Sequence, residues 1–140
     1  MARVLLVEDD PKWMSIYVAH FNQLGLDELV IDQAAHLKDA IDYAAHFAEE
    51  LMHYAAVIDS HFKGNAGLSA TVEYLGLKAA RQFKEMGIPY ERIAFVSDTS
   101  DVLQEARRLG MRIYHKSKPD KKAGERHWVH LARETRPYLI

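Results

Sequence analysis

Short apolar runs in this sequence end in side chains that can carry ionic chemistry. These side chains are three carboxylates, one hydroxyl and one ammonium, namely Glu8, Asp9, Asp59, Ser97 and Lys116. Carboxylates crowded together repel one another unless a cation lies among them, and Mg2+ prefers carboxylate, water and phosphate oxygens. A carboxylate held beside Mg2+ can attack a phosphoryl group and form an aspartyl phosphate. The set therefore predicts magnesium-assisted phosphoryl chemistry, provided that the fold brings its members together.

Asp59 is the central member of this set because it closes the most continuous apolar run, which begins at Tyr54. Such a run is typical of a strand buried on both faces of a parallel sheet. The carboxyl ends of the strands in open α/β sheets are the edge at which ligands bind. Lys116 would offset charge on a transferring group there, and Ser97 could donate a hydrogen bond to one of its oxygens.

Strands and helices alternate along the chain, which predicts an α/β fold with a parallel sheet and helices on both faces. Apolar runs mark strands, and helical periodicity with Gly, Pro and Asp at the boundaries marks helices. The predicted strands cover 3–7, 29–31, 54–59, 93–96 and 112–115, and the predicted helices cover 12–24, 38–52, 76–85, 101–109 and 124–136.

The overall composition is that of one ordinary soluble domain, expected to span residues 1–140. The chain has 49% hydrophobic and 27% charged residues, a formal net charge of −2 and no cysteine. A negative net charge gives no basic face for nucleic acid, and the absence of cysteine excludes disulfides and thiolate chemistry. No apolar stretch approaches the roughly 20 residues of a membrane span, so we expect a cytoplasmic protein.

With the motifs in this order, the sequence resembles the receiver domain of two-component response regulators. The resemblance rests on Val-Glu-Asp-Asp after the first strand, Asp59 after the third, Ser97 after the fourth and Lys116 after the fifth. It covers nearly the whole chain, from Arg3 to about Leu131. It implies a flavodoxin-like doubly wound sheet of five strands in the order 2-1-3-4-5.

The resemblance also implies a role for each of these groups. Glu8 and Asp9 match the acidic pair that holds Mg2+, and Asp59 matches the phosphoacceptor, which also contacts the metal. Ser97 matches the switch hydroxyl, Lys116 matches the phosphate-binding lysine, and the backbone carbonyl of His61 would be a further metal ligand. The implied partners are a histidine kinase or phosphotransfer protein and a downstream protein. We expect a stand-alone receiver, with no enzymatic activity beyond Mg-dependent self-phosphorylation and autodephosphorylation.

The loop after Asp59 departs from the receiver pattern. A Gly-Leu pair normally opens the third helix soon after the phosphoacceptor. Here Gly67-Leu68 has that spacing, and Gly76-Leu77 follows nine positions later. The second pair fits the helix and its distance to the fourth strand better, so we predict an insertion in loop 60–75. This loop could gate the site or recognise a particular kinase.

Several other interpretations remain open. Lys118, which precedes a proline as the lysine of receivers does, is the alternative to Lys116 as phosphate ligand. The long loop also favours a phosphorylation-independent pseudo-receiver, a protein-interaction module with the same fold. An aspartate-dependent phosphatase would need a second Asp two residues after Asp59, where this chain has His61.

Local structure is the simpler explanation for some polar residues. Asp10 precedes Pro11, which predicts a helix N-cap. His127 and His130 share a face of the last helix but have no third metal ligand nearby, so we expect surface residues. The side chain of His61, next to the site, could also contact the phosphodonor.

Overall fold

The computed structural model describes residues 2–46, 54–60, 75–116 and 126–140. Its strands are β1 (Arg3–Val7), β2 (Val30–Ala34), β3 (Tyr54–Asp59), β4 (Ile93–Ser97) and β5 (Arg112–His115). Its helices are α1 (Pro11–Asn22), α2 (Leu37–His46), α3 (Leu75–Glu85), α4 (Ser100–Leu109) and α5 (His127–Thr135). Short 3-10 turns cover Tyr90–Arg92 and Arg136–Tyr138.

The strands form one parallel sheet in the order β2-β1-β3-β4-β5, as predicted. β3 lies at its centre and is buried along its whole length, because strands pair with it on both edges and helices cover both faces. The strand order reverses between β1 and β3, and ligands bind at such reversals in doubly wound sheets. Glu8 directly follows β1, and Asp59 ends β3.

Each face of the sheet carries its own hydrophobic core. On one face α1 and α5 cover the strands, with Tyr17, Phe21 and Leu131 among the fully buried side chains. On the other face α2, α3 and α4 pack through small and aromatic residues such as Ala79 and Phe83. Alternation of side chains along each strand supplies both cores, since successive residues point to opposite faces. The predicted doubly wound α/β architecture is confirmed.

Strand β2 differs most from its predicted bounds, because residues 30–34 form it rather than 29–31. It is an edge strand that contains Asp32 and Gln33, so its apolar pattern is weak. Backbone pairing with β1, from Arg3 opposite Val30 to Val7 opposite Ala34, sets its extent instead. The predictions for β1, β3 and β5 are confirmed, and β4 extends by one residue to Ser97.

The bounds of the helices agree with the predictions to within a few residues, and two further predictions are corrected. α5 begins at His127, not at residue 124, because Arg126 has an extended backbone with φ −74° and ψ 153°. His127 is 4% exposed and is therefore not a surface residue. Its ring lies against Trp13 and hydrogen-bonds to Tyr17, which are contacts with a distant helix that no local pattern encodes. The predicted continuation of α2 through residue 52 lies outside the described residues.

Within the described ranges, no helix is both long enough and apolar enough to cross a membrane.

Candidate functional site

The carboxyl ends of β1, β3, β4 and β5 meet at one edge of the sheet. Pairing places Val7 opposite Ile58, Asp59 opposite Val96, and Ser97 opposite His115. The residues that end or follow these strands are therefore neighbours in space. Among the described residues, all five predicted side chains lie at this edge, namely Glu8, Asp9, Asp59, Ser97 and Lys116.

Glu8, Asp9 and Asp59 form a compact cluster of acids. Each offers a carboxylate oxygen, and these oxygens all lie within 4.8 Å of one another. Glu8 is 2% exposed and Asp59 is 6% exposed, whereas Asp9 is half-buried. The Asp9 backbone N–H donates to Glu8 Oε2 over 3.0 Å, which fixes the first side chain of the cluster.

Asp10, in contrast, has the capping role predicted from the sequence. Its Oδ1 accepts a hydrogen bond of 2.9 Å from the backbone N–H of Lys12, and Pro11 is the first residue of α1. The cap orients the start of α1 and with it the preceding acids. Asp10 is exposed and does not belong to the acidic cluster.

Within the described ranges, Lys116 supplies the positive charge of the site. Its Nζ lies 2.6 Å from Glu8 Oε1 and 3.5 Å from Asp59 Oδ2. The same atom is 5.1 Å from the ring centroid of Trp13, which adds a cation–π contact. β5 carries Lys116 to this position because Lys116 is the first residue after the strand, and its backbone N–H donates to Ser97 O over 2.9 Å.

The charges of this group do not cancel. Burial, followed by the negative charge of Asp59, raises the pKa of Glu8, and the contact with Lys116 only partly opposes this. Burial by itself would lower the pKa of Lys116, but the charges of Asp59 and Glu8 raise it overall. Among the described residues, three carboxyl groups face one ammonium, so a divalent cation fits the donor set: hard oxygen ligands with an excess of negative charge.

Ser97 is completely buried, and its Oγ accepts two hydrogen bonds. One comes from Ser60 Oγ over 2.7 Å, and the other from the backbone N–H of Thr99 over 3.0 Å. Ser97 ends β4, and Thr99 precedes α4. The hydroxyl predicted to contact a phosphoryl group is therefore held by the end of β3 and the start of α4.

A cavity of about 500 Å3 opens above the acidic cluster. The described residues that line it are Glu8, Asp9, Asp10, Trp13, Asp59, Asp98, Thr99 and Lys116. A carboxylate nucleophile, an ammonium group and a set of oxygen ligands for a cation thus face the same space. This arrangement can bind a phosphate group and stabilise charge that develops on it.

Comparisons with known proteins find structural relatives only. No protein-family model matches the sequence, and a search of curated proteins finds no significant match. A response regulator receiver domain from Rhodospirillum rubrum is similar in structure, with a TM-score of 0.63 at 15% identity over 99% of this chain and 92% of that one. The chain has the receiver-domain fold.

Two further solved structures have the same receiver fold. The response regulator domain of Thermotoga maritima CheB has a TM-score of 0.63 at 15% identity, covering 99% of this chain and 93% of that one. The Mn(2+)-bound form of response regulator Rcp1 has a TM-score of 0.61 at 12% identity, covering 95% of this chain and 91% of that one. At such identities the likeness concerns the fold alone.

Part of the predicted site lies outside the described residues. This applies to the carbonyl of His61, to Lys118 and to loop residues 61–74. The second Gly-Leu pair does open a helix, because α3 begins at Leu75 and the Gly76 backbone N–H donates to Ser60 O over 3.1 Å.

Sequence reasoning missed three residues near the site: Ser60, Trp13 and His127. Ser60 and Trp13 look like ordinary strand-end and core residues in the sequence, and only contacts across the sheet connect them with Ser97 and Lys116. His127 Nε2 lies 3.0 Å from Tyr17 Oη, and burial, together with the charge of Lys116, lowers the pKa of His127 to about 4. Of these three residues, only Ser60 could have been identified from the sequence, because it directly follows Asp59.

Proposed function

We propose that this chain is a phosphoacceptor signalling domain, which takes a phosphoryl group onto Asp59 from a histidine kinase or phosphotransfer protein. The observation that carries this proposal is the convergence of Glu8, Asp9, Asp59 and Lys116 on one open cavity. The receiver fold supports it, since receiver domains take part in two-component signalling.

In the proposed transfer, an Asp59 carboxylate oxygen attacks the phosphorus of a phosphohistidine. The new P–O bond forms as the P–N bond breaks, and the bonding pair returns to the ring nitrogen of the donor. The other ring nitrogen of the donor keeps its proton, so neutral imidazole leaves. Lys116 Nζ, 3.5 Å from Asp59 Oδ2, offsets the charge of the phosphoryl oxygens during transfer.

Glu8, Asp9 and Asp59 would hold the Mg2+ ion of this reaction, with the His61 carbonyl as a further proposed ligand. The bound ion would supply positive charge that offsets the charge on the transferring group. The three carboxyl oxygens that lie within 4.8 Å of one another support this assignment, as does the Mn2+ bound by the structurally similar Rcp1.

Phosphorylation would then switch protein contacts. A phosphoryl group adds about −1.5 to −2 charges, to which Ser97 and Lys116 respond by moving towards it. If two conformations differ by a few kcal/mol, this change is large enough to shift their populations. α5 and β5 are the proposed contact surface for the downstream protein, because Lys116 follows directly on β5.

Intact-protein mass spectrometry after incubation with acetyl phosphate or phosphoramidate tests the proposal. We expect one phosphoryl adduct on the wild type that requires Mg2+ and is absent in Asp59→Asn. Asp98→Asn is the matched control, because Asp98 lines the same cavity outside the acidic cluster, and it should still be phosphorylated. A wild type without any adduct would instead indicate a phosphorylation-independent interaction module.

A further inference from the structure

Ser60, the residue after Asp59, makes a buried side-chain hydrogen bond to Ser97. The two Oγ atoms are 2.7 Å apart, and both residues are 0% exposed. A hydrogen bond so well shielded from water is retained unless another partner replaces it, because a buried hydroxyl without a partner is costly. Ser60 has no role in the function proposed above.

The backbone of Ser60 is held rigidly on both sides. Its N–H donates to Val96 O over 2.9 Å, and its carbonyl accepts from Gly76 N over 3.1 Å. At Gly76, a side-chain Cβ would lie only 2.7 Å from Ser60 Cα, so α3 packs directly against this residue. Ser60 is therefore a fixed point to which the carboxyl end of β4 is tied.

The Ser97 hydroxyl is turned towards this fixed point and not towards the cavity. Asp98 and Thr99, which follow it, line the cavity, but neither Ser97 nor Ser60 does. The second bond to Ser97 Oγ comes from the Thr99 backbone N–H, directly before α4. Movement of the Ser97 hydroxyl towards Asp59 would thus break its contact with Ser60 and displace the start of α4.

We propose that Ser60 is a positioning residue that holds the Ser97 hydroxyl back from the phosphoryl site in the unphosphorylated state. This inference rests on the proposed function of Asp59 and Ser97. A phosphoryl oxygen on Asp59 would accept the Ser97 O–H and draw Ser97 Oγ away from Ser60 Oγ, which donates to it in the unphosphorylated state, so the Ser60–Ser97 bond opposes the switch. By linkage, removal of the Ser60 hydroxyl favours the state in which Ser97 contacts the phosphoryl group.

The test is calorimetric titration with beryllofluoride, a phosphoryl mimic, in the presence of Mg2+. Ser60→Ala should bind it about three- to tenfold more tightly than the wild type, the range for one net hydrogen bond. In a Ser97→Ala background the same substitution should have no effect, because its partner is already absent. Ser100→Ala is the matched control, an exposed serine at the first position of α4, and should bind like the wild type.

A merely structural role of Ser60 would lower thermal stability without tightening the binding of beryllofluoride. Ser60→Cys provides a second variant if Ser60→Ala does not fold, because the thiol fills the position of the hydroxyl but is a weak hydrogen-bond donor. It should also bind more tightly. Unchanged or weaker binding in a folded Ser60 variant would overturn the inference while leaving the proposed function intact. A wild type that neither binds beryllofluoride nor forms an adduct would overturn both.

Discussion

At the scale of single residues, Lys116 holds together a group of acids that would otherwise repel one another. Its ammonium contacts both Glu8 and Asp59, and the ring of Trp13 covers it from the α1 side. Lys118, the alternative from the sequence, lies outside the described residues. The distances from Lys116 to both carboxylates favour it as the phosphate ligand.

Lys116→Gln should slow phosphorylation of Asp59 by acetyl phosphate about tenfold or more, because the charge that offsets the phosphoryl oxygens is lost. Lys118→Gln is the matched control and should leave the rate within about twofold of the wild type. Time courses of adduct formation by mass spectrometry, at saturating Mg2+, measure both. If Lys118→Gln slowed phosphorylation more than Lys116→Gln, the phosphate-binding role would belong to Lys118.

Among the secondary-structure elements, α3 approaches the end of β3 very closely at Gly76. A Cβ on Gly76 would overlap the carbonyl oxygen of Asp59, which is a backbone atom that cannot turn aside. The second position of α3 can therefore hold only glycine. This contact fixes the backbone of Asp59 and Ser60 at the carboxyl end of β3.

Gly76→Ala should destabilise the protein by about 2–3 kcal/mol through steric overlap, although the same change inside a helix normally stabilises by about 1 kcal/mol. Gly25→Ala serves as a control for the removal of a glycine. Gly25 has a φ of 71° with no atom within 4 Å of the added Cβ, so only the backbone cost of about 1–2 kcal/mol applies. Urea denaturation measures both, and a stabilised Gly76→Ala would contradict the close packing.

At the scale of the whole molecule, His127 connects α5 with α1 and with the region after β5. Its ring lies 5.2 Å from that of Trp13, and its Nε2 lies 3.0 Å from Tyr17 Oη. Burial, followed by the charges of Lys116 and His115, lowers the pKa of His127 to about 4, from an ordinary value of 6.5. The folded protein therefore holds this histidine in its neutral form.

This shift predicts a loss of stability in acid. Between pH 6.5 and about 4 the unfolded chain binds a proton at His127 and the folded chain does not, so the free energy of unfolding falls as the pH falls. The loss is up to about 3 kcal/mol. Urea denaturation of His127→Gln across this pH window should not show this fall in the free energy of unfolding. His36→Gln, at an exposed position, should show the same fall as the wild type. If the free energy of unfolding changed equally with pH in the wild type and in His127→Gln, the prediction would be contradicted.

The α/β architecture and the meeting of the acidic residues at one sheet edge could be predicted from the sequence. Alternation of apolar runs with helical patterns is local information, and parallel strands necessarily bring their carboxyl ends to one edge. Glu8, Asp9, Asp59 and Lys116 could therefore be assigned to one site before any distance was known. The capping role of Asp10 could also be predicted from the local sequence, because Asp before Pro is typical of a helix N-cap.

The contacts between these groups, in contrast, depend on packing between segments that are distant in the sequence. Lys116 and Glu8 are 108 positions apart, and Ser60 and Ser97 are 37 apart. Whether such pairs lie at hydrogen-bonding distance depends on strand register and helix packing. The burial of His127 and the extent of β2 have the same origin, since contacts with distant segments set both. Local patterns select the elements and the chemistry at their ends, whereas packing between them sets distances, burial and pKa values.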